Sequence, residues 1–421
     1  MSFEKQQVPR SFSDIARNFS PPWFAVIMGT GAISILFASF PYGHDTHVMN
    51  LLSLVFFFLN LLLLVIFTTL TLARYCLYPH MWAITLKHPL SSLYIGCFPM
   101  GITTLINVAV DVINTRYNFG GKAFLYFIWT VWWIDVVISV LCCWGIVHIM
   151  QTTHTCSLQT MTTAWLLPVV TLIVASSSGG VLAEALQKYS PKHALITITL
   201  AVFLVIIGLS LALMMLTTYL SRLLIYGIPS GQAVLSVFLP LGPTGQAGFA
   251  VLLIGQNFKS LLPFQSGSGN SAFLQSSTSG DIIYTLCVCI SFLLWCTASM
   301  WIIYALLAVQ DVVRRGRFPF QLRWWGLVFP NGVYANLTIN LSDTFDSSFF
   351  RIFGAIYAIS TLILWIFIAT RTITKVYDRT IFEALEYLDT ELEIHSNETD
   401  PKESHRRSDQ SKNSTMTLSV P

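Results

Sequence analysis

Charge is what this sequence has least of. Only 10% of its 421 residues are Asp, Glu, Lys or Arg, while 54% are hydrophobic and the mean hydropathy is +0.66. A chain so apolar is excluded from the soluble globular class and reads as an integral membrane protein. The formal net charge of +3 gathers on no concentrated basic face, so nucleic acid is excluded as a partner. Paired cysteine spacing is also missing. Cys76, Cys97, Cys142, Cys143, Cys156, Cys287, Cys289 and Cys296 lie mostly inside or beside apolar runs, which implies neither a disulfide framework nor a zinc site. The nine histidines are scattered over loops and tail, and His44 and His47 read as plain loop residues rather than a metal pair. With no nucleophile-base pair and no phosphate loop, neither an enzyme nor a cofactor is expected.

What the chain does have is long apolar runs. Ten are of membrane-crossing length: 21–40, 51–73, 91–113, 123–148, 162–186, 193–220, 233–256, 282–309, 323–341 and 349–371. Residues 1–20 form a short N-terminal segment, 21–371 the membrane domain and 372–421 a tail that starts basic and turns polar. The first run, preceded by Lys5, Arg10 and Arg17, reads as a signal anchor. An even number of crossings puts both termini on one side, and 17 of the 23 Lys and Arg residues fall there. Both ends are therefore expected in the cytoplasm. The Gly/Ser-rich stretch 265–280 is expected to be a flexible outer loop and the distal tail to be disordered.

Helix breakers are unevenly shared among the runs. A bulky apolar residue followed by proline recurs as Phe98-Pro99, Leu167-Pro168, Leu239-Pro240 and Phe329-Pro330, always in an odd-numbered run, with the prolines 69, 72 and 90 residues apart. The first run carries Gly29 and Gly31 instead, and the even runs hold almost no breakers. The repeating unit is a helix pair, which predicts five hairpins. Polar residues follow the same division. Thr103 and Asn107, Ser176 and Ser177, Thr244 and Gln246, and Asn331 all belong to odd runs. Freed backbone groups at membrane depth are tolerated only against protein or a watery cavity. The odd runs are thus expected to line a path, with the even runs outside facing lipid. Helix packing through small residues is the competing reading of any single glycine.

No cation stands in the middle of an odd run, so the path offers hydroxyls, amides and helix N-termini rather than charge. Such a lining suits weak contact with a passing small anion. Phe329, just before its proline, is a candidate hydrophobic gate, and Phe98 is a candidate second ring. Asp135, near the middle of the fourth run, is costly to bury ionised and is a candidate for proton coupling or for a structural anchor.

At the segments PPWFAVIMGTGAISILFASFPYG, CFPMGITTLIN, VWWID, LLPVVTLIVASSSGG and LGPTGQAGFAVLL the chain resembles the tellurite-resistance/dicarboxylate transporter family. That group includes slow anion channels of plants, fungal malate carriers and fungal sulfite efflux pumps, and the resemblance extends from about Phe19 to Phe382. It implies an all-α membrane fold in which ten helices form five hairpins in quasi-fivefold order around a central pore. It also implies a homotrimer in the plasma membrane and an aromatic gate on the ninth helix, here Phe329. The third, fourth, fifth and seventh runs resemble the sulfite branch, which implies export of sulfite or bisulfite. The segment GLVFPNGVYANLTI resembles malate carriers, with Asn331 as a candidate carboxylate ligand, and a passive anion channel of the same fold is the other alternative.

Overall fold

The computed structural model describes residues 12–43, 45–154, 156–229, 231–264, 272–315, 320–378 and 381. Lys5, Arg10, His44, Arg317, the first part of the Gly/Ser-rich loop and the tail beyond residue 381 lie outside the described residues. Thirteen α-helices follow one another among those described. They are α1 (Phe12–Asn18), α2 (Phe24–Ala38), α3 (His47–Leu77), α4 (His80–Lys87), α5 (Cys97–Val108), α6 (Gly121–Thr152), α7 (Leu167–Gln187), α8 (Pro191–Tyr226), α9 (Leu241–Leu261), α10 (Ala272–Gln275), α11 (Ser277–Arg315), α12 (Val328–Phe345) and α13 (Ser348–Tyr377). No strand occurs among the described residues.

Nine segments among the described residues are long and apolar enough to cross a membrane. The stretch expected as the ninth crossing, 323–341, is not among them. It forms a short 3-10 turn, Leu322–Leu327, followed by α12, whose Asn331, Asn336, Asn340 and Asp343 lower its hydropathy. The helix can be this polar because 14 of its 18 residues are buried by protein. Lipid never has to solvate them.

Burial divides the other nine by alternation. The segments starting at Pro21, Leu93, Thr163 and Val234 are 89, 83, 94 and 89% buried, whereas those starting at His47, Gly121, Pro191, Ser277 and Ser348 are 22, 39, 39, 28 and 28% buried. The exposed faces of the second group carry Leu, Ile, Phe and Val, among them Leu62, Phe127, Ile206, Leu293 and Ile363. A surface that apolar is stable only against hydrocarbon. α2 packs on α5, α5 on α7, α7 on α9, α9 on α12 and α12 back on α2, and each of these five also packs on the lipid-facing helix that follows it, α3, α6, α8, α11 or α13.

The recurrent prolines do not break helices in mid-membrane, as the sequence had suggested. Pro99, Pro168 and Pro330 stand in the first turns of α5, α7 and α12, and Pro240 caps α9. A missing N–H costs nothing in a first turn, where no intrahelical acceptor exists. Each of these helices is entered through a 3-10 turn, Leu93–Gly96, Thr163–Leu166, Gly231–Phe238 or Leu322–Leu327, and α2 is entered through Pro21–Trp23. The chain thus changes helix type at the proline without orphaning backbone groups: the Cys97 N–H, for example, donates back to the Tyr94 carbonyl.

Close approach explains two glycines. A Cβ on Gly96 would stand 2.9 Å from the Leu167 carbonyl oxygen, and one on Gly332 would stand 2.9 Å from Ala32 Cβ. Both are tighter than van der Waals contact allows, so α5 meets the start of α7, and α12 meets α2, only where a side chain is absent. Beyond α5 the chain widens into a π-helix, Ala109–Arg116, a form frequent at functional sites.

Candidate functional site: a row of cavities

Three cavities follow one another along the five buried helices. A wide one of about 500 Å³ lies at their C-terminal ends, a small polar one of about 20 Å³ lies further in, and an apolar one of about 30 Å³ lies at their N-terminal ends. Ile35, Asn107, Phe249 and Asn336 line both the wide and the polar cavity. Among the described residues Phe329 alone lines both the polar and the apolar one. Its ring, 4% exposed, separates the two. The polar cavity, the smallest of the three, has room for about one water.

The lining follows from helical periodicity. Along α12 the positions Phe329, Val333, Asn336, Asn340 and Asp343 recur every three or four residues and therefore share one face, with Gly332 beside them. On α5 the same spacing links Cys97, Met100, Thr103 and Asn107, and on α9 it links Gly242, Gln246, Phe249 and Leu253.

At the constriction the walls are uncharged. Thr103 Oγ1 donates to the Met100 carbonyl at 2.7 Å and Thr104 Oγ1 to the Gly101 carbonyl at 2.7 Å, which keeps both hydroxyl protons occupied. Gln246 Nε2 donates to Ser177 Oγ, so the serine holds the amide from behind. The Asn107 side chain has no hydrogen-bond partner among the described residues, and Asn336 accepts from Ser39 Oγ at 2.9 Å while its own amide N–H groups have none. The buried atom left without a partner here is the acceptor Asn107 Oδ1, while no hydrogen bond among the described residues uses Nδ2 of Asn107 or Asn336; an N–H of that kind, where it meets the cavity, can donate to an anion.

Charge gathers only at the wide end. The π-helix brings Asp111 and Arg116 there, paired at 3.0 Å, and Arg116 also donates to Asn50 Oδ1 at 2.7 Å and to the Ala38 carbonyl at 2.8 Å. Lys188, Glu184 and Asp343 share this mouth. None of these groups was singled out from sequence; the density of polar residues from Asp111 to Arg116 is the signal that could have marked them.

Of the residues singled out from sequence, the structure brings Phe329, Pro330, Thr103, Asn107 and Gln246 to the cavities, with Ser177 in support. The others stand elsewhere. Gly29 faces Val328, whose Cβ would be 3.1 Å from an added Cβ, and α2 runs through it without a break. Ser176 Oγ donates outward to the Ala201 carbonyl on α8, and Thr244 Oγ1 bonds back to the Pro240 carbonyl. Pro99, Pro168 and Pro240 shape the helix starts and line none of the three cavities. Phe98 turns to Phe24, edge to face with centroids 5.2 Å apart, because Cys97 and Met100 occupy the cavity face of that turn. Asn331, two residues past Phe329, points to the opposite side: its Nδ2 donates to the Leu327 carbonyl at 2.7 Å and its Oδ1 accepts from Tyr357 at 2.6 Å. Asp135 is 1% exposed on α6, lines none of the three cavities, and both its oxygens lack a partner among the described residues. Ala32, Ile35, Phe249, Val333 and Asn336 line the constriction without having been singled out.

Among the described residues, nine apolar segments of crossing length around a buried row of cavities define a multi-pass membrane protein. Residues 18–373 match the family described as voltage-dependent anion channels, and the chain belongs to that family. It is 36% identical over 365 residues to a sulfite efflux pump of Trichophyton rubrum, an overlap that covers 87% of this chain and 92% of the relative. A sulfite efflux pump of Arthroderma otae is 33% identical over 87% of this chain and 93% of its own. The malic acid transport protein of Schizosaccharomyces pombe is 23% identical, over 83% of this chain and 76% of its own. The family and these relatives are channels or transporters rather than enzymes.

Proposed function

We propose that this protein exports sulfite or bisulfite across the plasma membrane, along the row of cavities, and that the Phe329 ring is its gate. The observation that carries the reading is the position of Phe329 as the one residue, among those described, shared by the polar constriction and the apolar cavity. The sulfite pumps among its relatives supply the cargo. Five hairpins, α2 with α3, α5 with α6, α7 with α8, α9 with α11 and α12 with α13, stand in quasi-fivefold order around this path, α12 being the tenth crossing. Both termini face the cytoplasm, in keeping with the excess of cations on that side, so the apolar cavity opens inward and the wide mouth outward. A homotrimer with one path per subunit completes the proposal.

The site favours a small anion over a dicarboxylate. Tight binding of two carboxylates calls for fixed cations, Arg above all. The constriction has none, and Asn331 is committed to Tyr357 and Leu327. Proton coupling through Asp135 is left out of the proposal because its carboxylate lies off the path. The test is flux in proteoliposomes at controlled pH and voltage, comparing sulfite, malate, nitrate and chloride. Sulfite should pass fastest and malate slowest; malate flux equal to or above that of sulfite would reject the assignment.

A further inference from the structure

Between α4 and the 3-10 turn that opens α5 the chain runs through His88-Pro89-Leu90-Ser91-Ser92, and this stretch is lightly held. Three of its backbone hydrogen bonds are long: the Ser92 N–H donates to the His88 carbonyl at 3.3 Å, Tyr94 to Ser91 at 3.3 Å and Ile95 to Ser92 at 3.2 Å. The hydroxyls of Ser91 and Ser92 are buried and have no partner among the described residues, so they brace nothing there. The side chain that does brace the stretch is His88, whose Nδ1 accepts from the Ser91 N–H at 3.0 Å. An imidazole nitrogen accepts only while it carries no proton, so this bond belongs to neutral His88 alone.

Side chains from two other elements bear on the same ring: Arg323, in the 3-10 turn that opens α12, and His154, just past α6. On its own segment the preceding Lys87 is exposed. His88 is half-buried and lies outside the crossing segments. Burial first, then the Arg323 guanidinium and the His154 ring, hold His88 below the ordinary histidine value of 6.5. Arg323 also bears on the Tyr94 hydroxyl. Tyr94, and Trp325 two residues past Arg323, both line the apolar cavity that Phe329 lines. The ring of His88 is thus tied to both turns that wall the inner end of the path.

We propose that His88 is a cytoplasmic proton sensor that latches the inner end of the path: neutral, it closes the turn from 88 to 96, and protonated, it releases that turn and lets the apolar cavity open. The sidedness rests on the export reading, which places this cavity at the cytoplasmic end. A proton on Nδ1 turns the ring into a donor facing another donor, the Ser91 N–H, and sets a second cation beside Arg323. Both costs disappear once the turn swings away. The closed turn therefore binds the proton more weakly than the open one, so its stability is fully present above about pH 6.5 and is lost as the pH falls below that value. Export then rises when the cytosol acidifies.

The test has two readouts, both on the full-length protein. In detergent, where neither cargo nor sidedness matters, amide hydrogen exchange of residues 91–96 is followed from about pH 7.5 to about pH 5.5 and corrected for the intrinsic effect of pH. In the wild type it should quicken severalfold, by at most about tenfold per pH unit, the limit for one proton. His88→Asn keeps an oxygen that accepts from the Ser91 N–H and takes up no proton, so its exchange should stay slow throughout. Arg323→Gln removes a repelling charge and should move the transition to higher pH. In proteoliposomes, sulfite flux should rise severalfold when the face carrying the termini, identified by protease cleavage of the tail, is acidified over the same range. His88→Asn should match the wild type at the upper pH and not follow it down; comparing the two at each pH cancels the titration of sulfite itself. Wild-type exchange that ignores pH, or exchange in His88→Asn that follows the wild type, would overturn the latch. An unmoved transition in Arg323→Gln would do so equally, and exchange that responds while flux does not would break its link to the path. A flux response to acid on the opposite face would overturn the sidedness of the export reading and with it the cytoplasmic assignment of the sensor.

Discussion

Phe329 and Asn331 stand two positions apart on one helix and do different work. The ring of Phe329 lines both the polar and the apolar cavity, and if it is the proposed gate it must leave its rotamer well to let an ion pass, at a cost of about 1 kcal/mol. Phe329→Ala removes that step and should raise sulfite flux by roughly fivefold to tenfold in the proteoliposome assay. Unchanged flux from correctly folded protein would remove the gate. Asn331→Ala should leave flux and selectivity alone. It strips Tyr357 of its 2.6 Å acceptor and should cost about 1–2 kcal/mol, seen as a lower Tm in detergent. The sequence showed that both residues belonged to a polar, proline-marked crossing. It did not show which one faced the path, because that depends on the rotation of α12 about its axis, and rotation is set by the helices packed around it.

At the scale of the element, the alternation of breakers and hydroxyls was legible beforehand, and the alternation of burial follows it segment by segment. Proline was misread. Its place in a run of apolar residues looked central, yet the α-helix begins only at Val328, after a 3-10 turn, and no apolar pattern distinguishes a 3-10 turn from a helical one. Glycine carries the packing instead. At Gly332 an added methyl would meet Ala32 Cβ at 2.9 Å, and an alanine has no rotamer with which to give way. Gly332→Ala should therefore overpack the α2–α12 contact and cost about 1–3 kcal/mol, lowering Tm by several degrees. Gly242 is the control: nothing lies within 4 Å of its added Cβ, so Gly242→Ala in the first turn of α9 should be neutral or slightly stabilising. Equal losses at the two positions would show that packing around α12 is not the source of the effect.

For the whole molecule the decisive question is whether the three cavities form one route closed at one point. Cys97 answers it without an introduced reporter, because this native thiol lines the apolar cavity on the far side of Phe329 from the wide mouth. With the exposed cysteines Cys76, Cys156, Cys289 and Cys296 replaced by serine, a small membrane-impermeant thiol reagent can reach Cys97 only through the route itself. Applied from the outside, it has to enter at Arg116 and Lys188, pass the amides of Asn107 and Asn336, and stop at the ring. Labelling from that side should be negligible with Phe329 present. In Phe329→Ala it should appear, faster for an anionic reagent than for a cationic one of equal size, because the side-chain amides of Asn107, Gln246 and Asn336 line the constriction and no carboxylate does. Adding sulfite should slow it by occupying the same constriction. If Cys97 is labelled as fast from outside with the ring in place, the closure lies elsewhere. If it stays silent once the ring is gone, the cavities do not form a single path, and the flux of the variant must take another way through the protein.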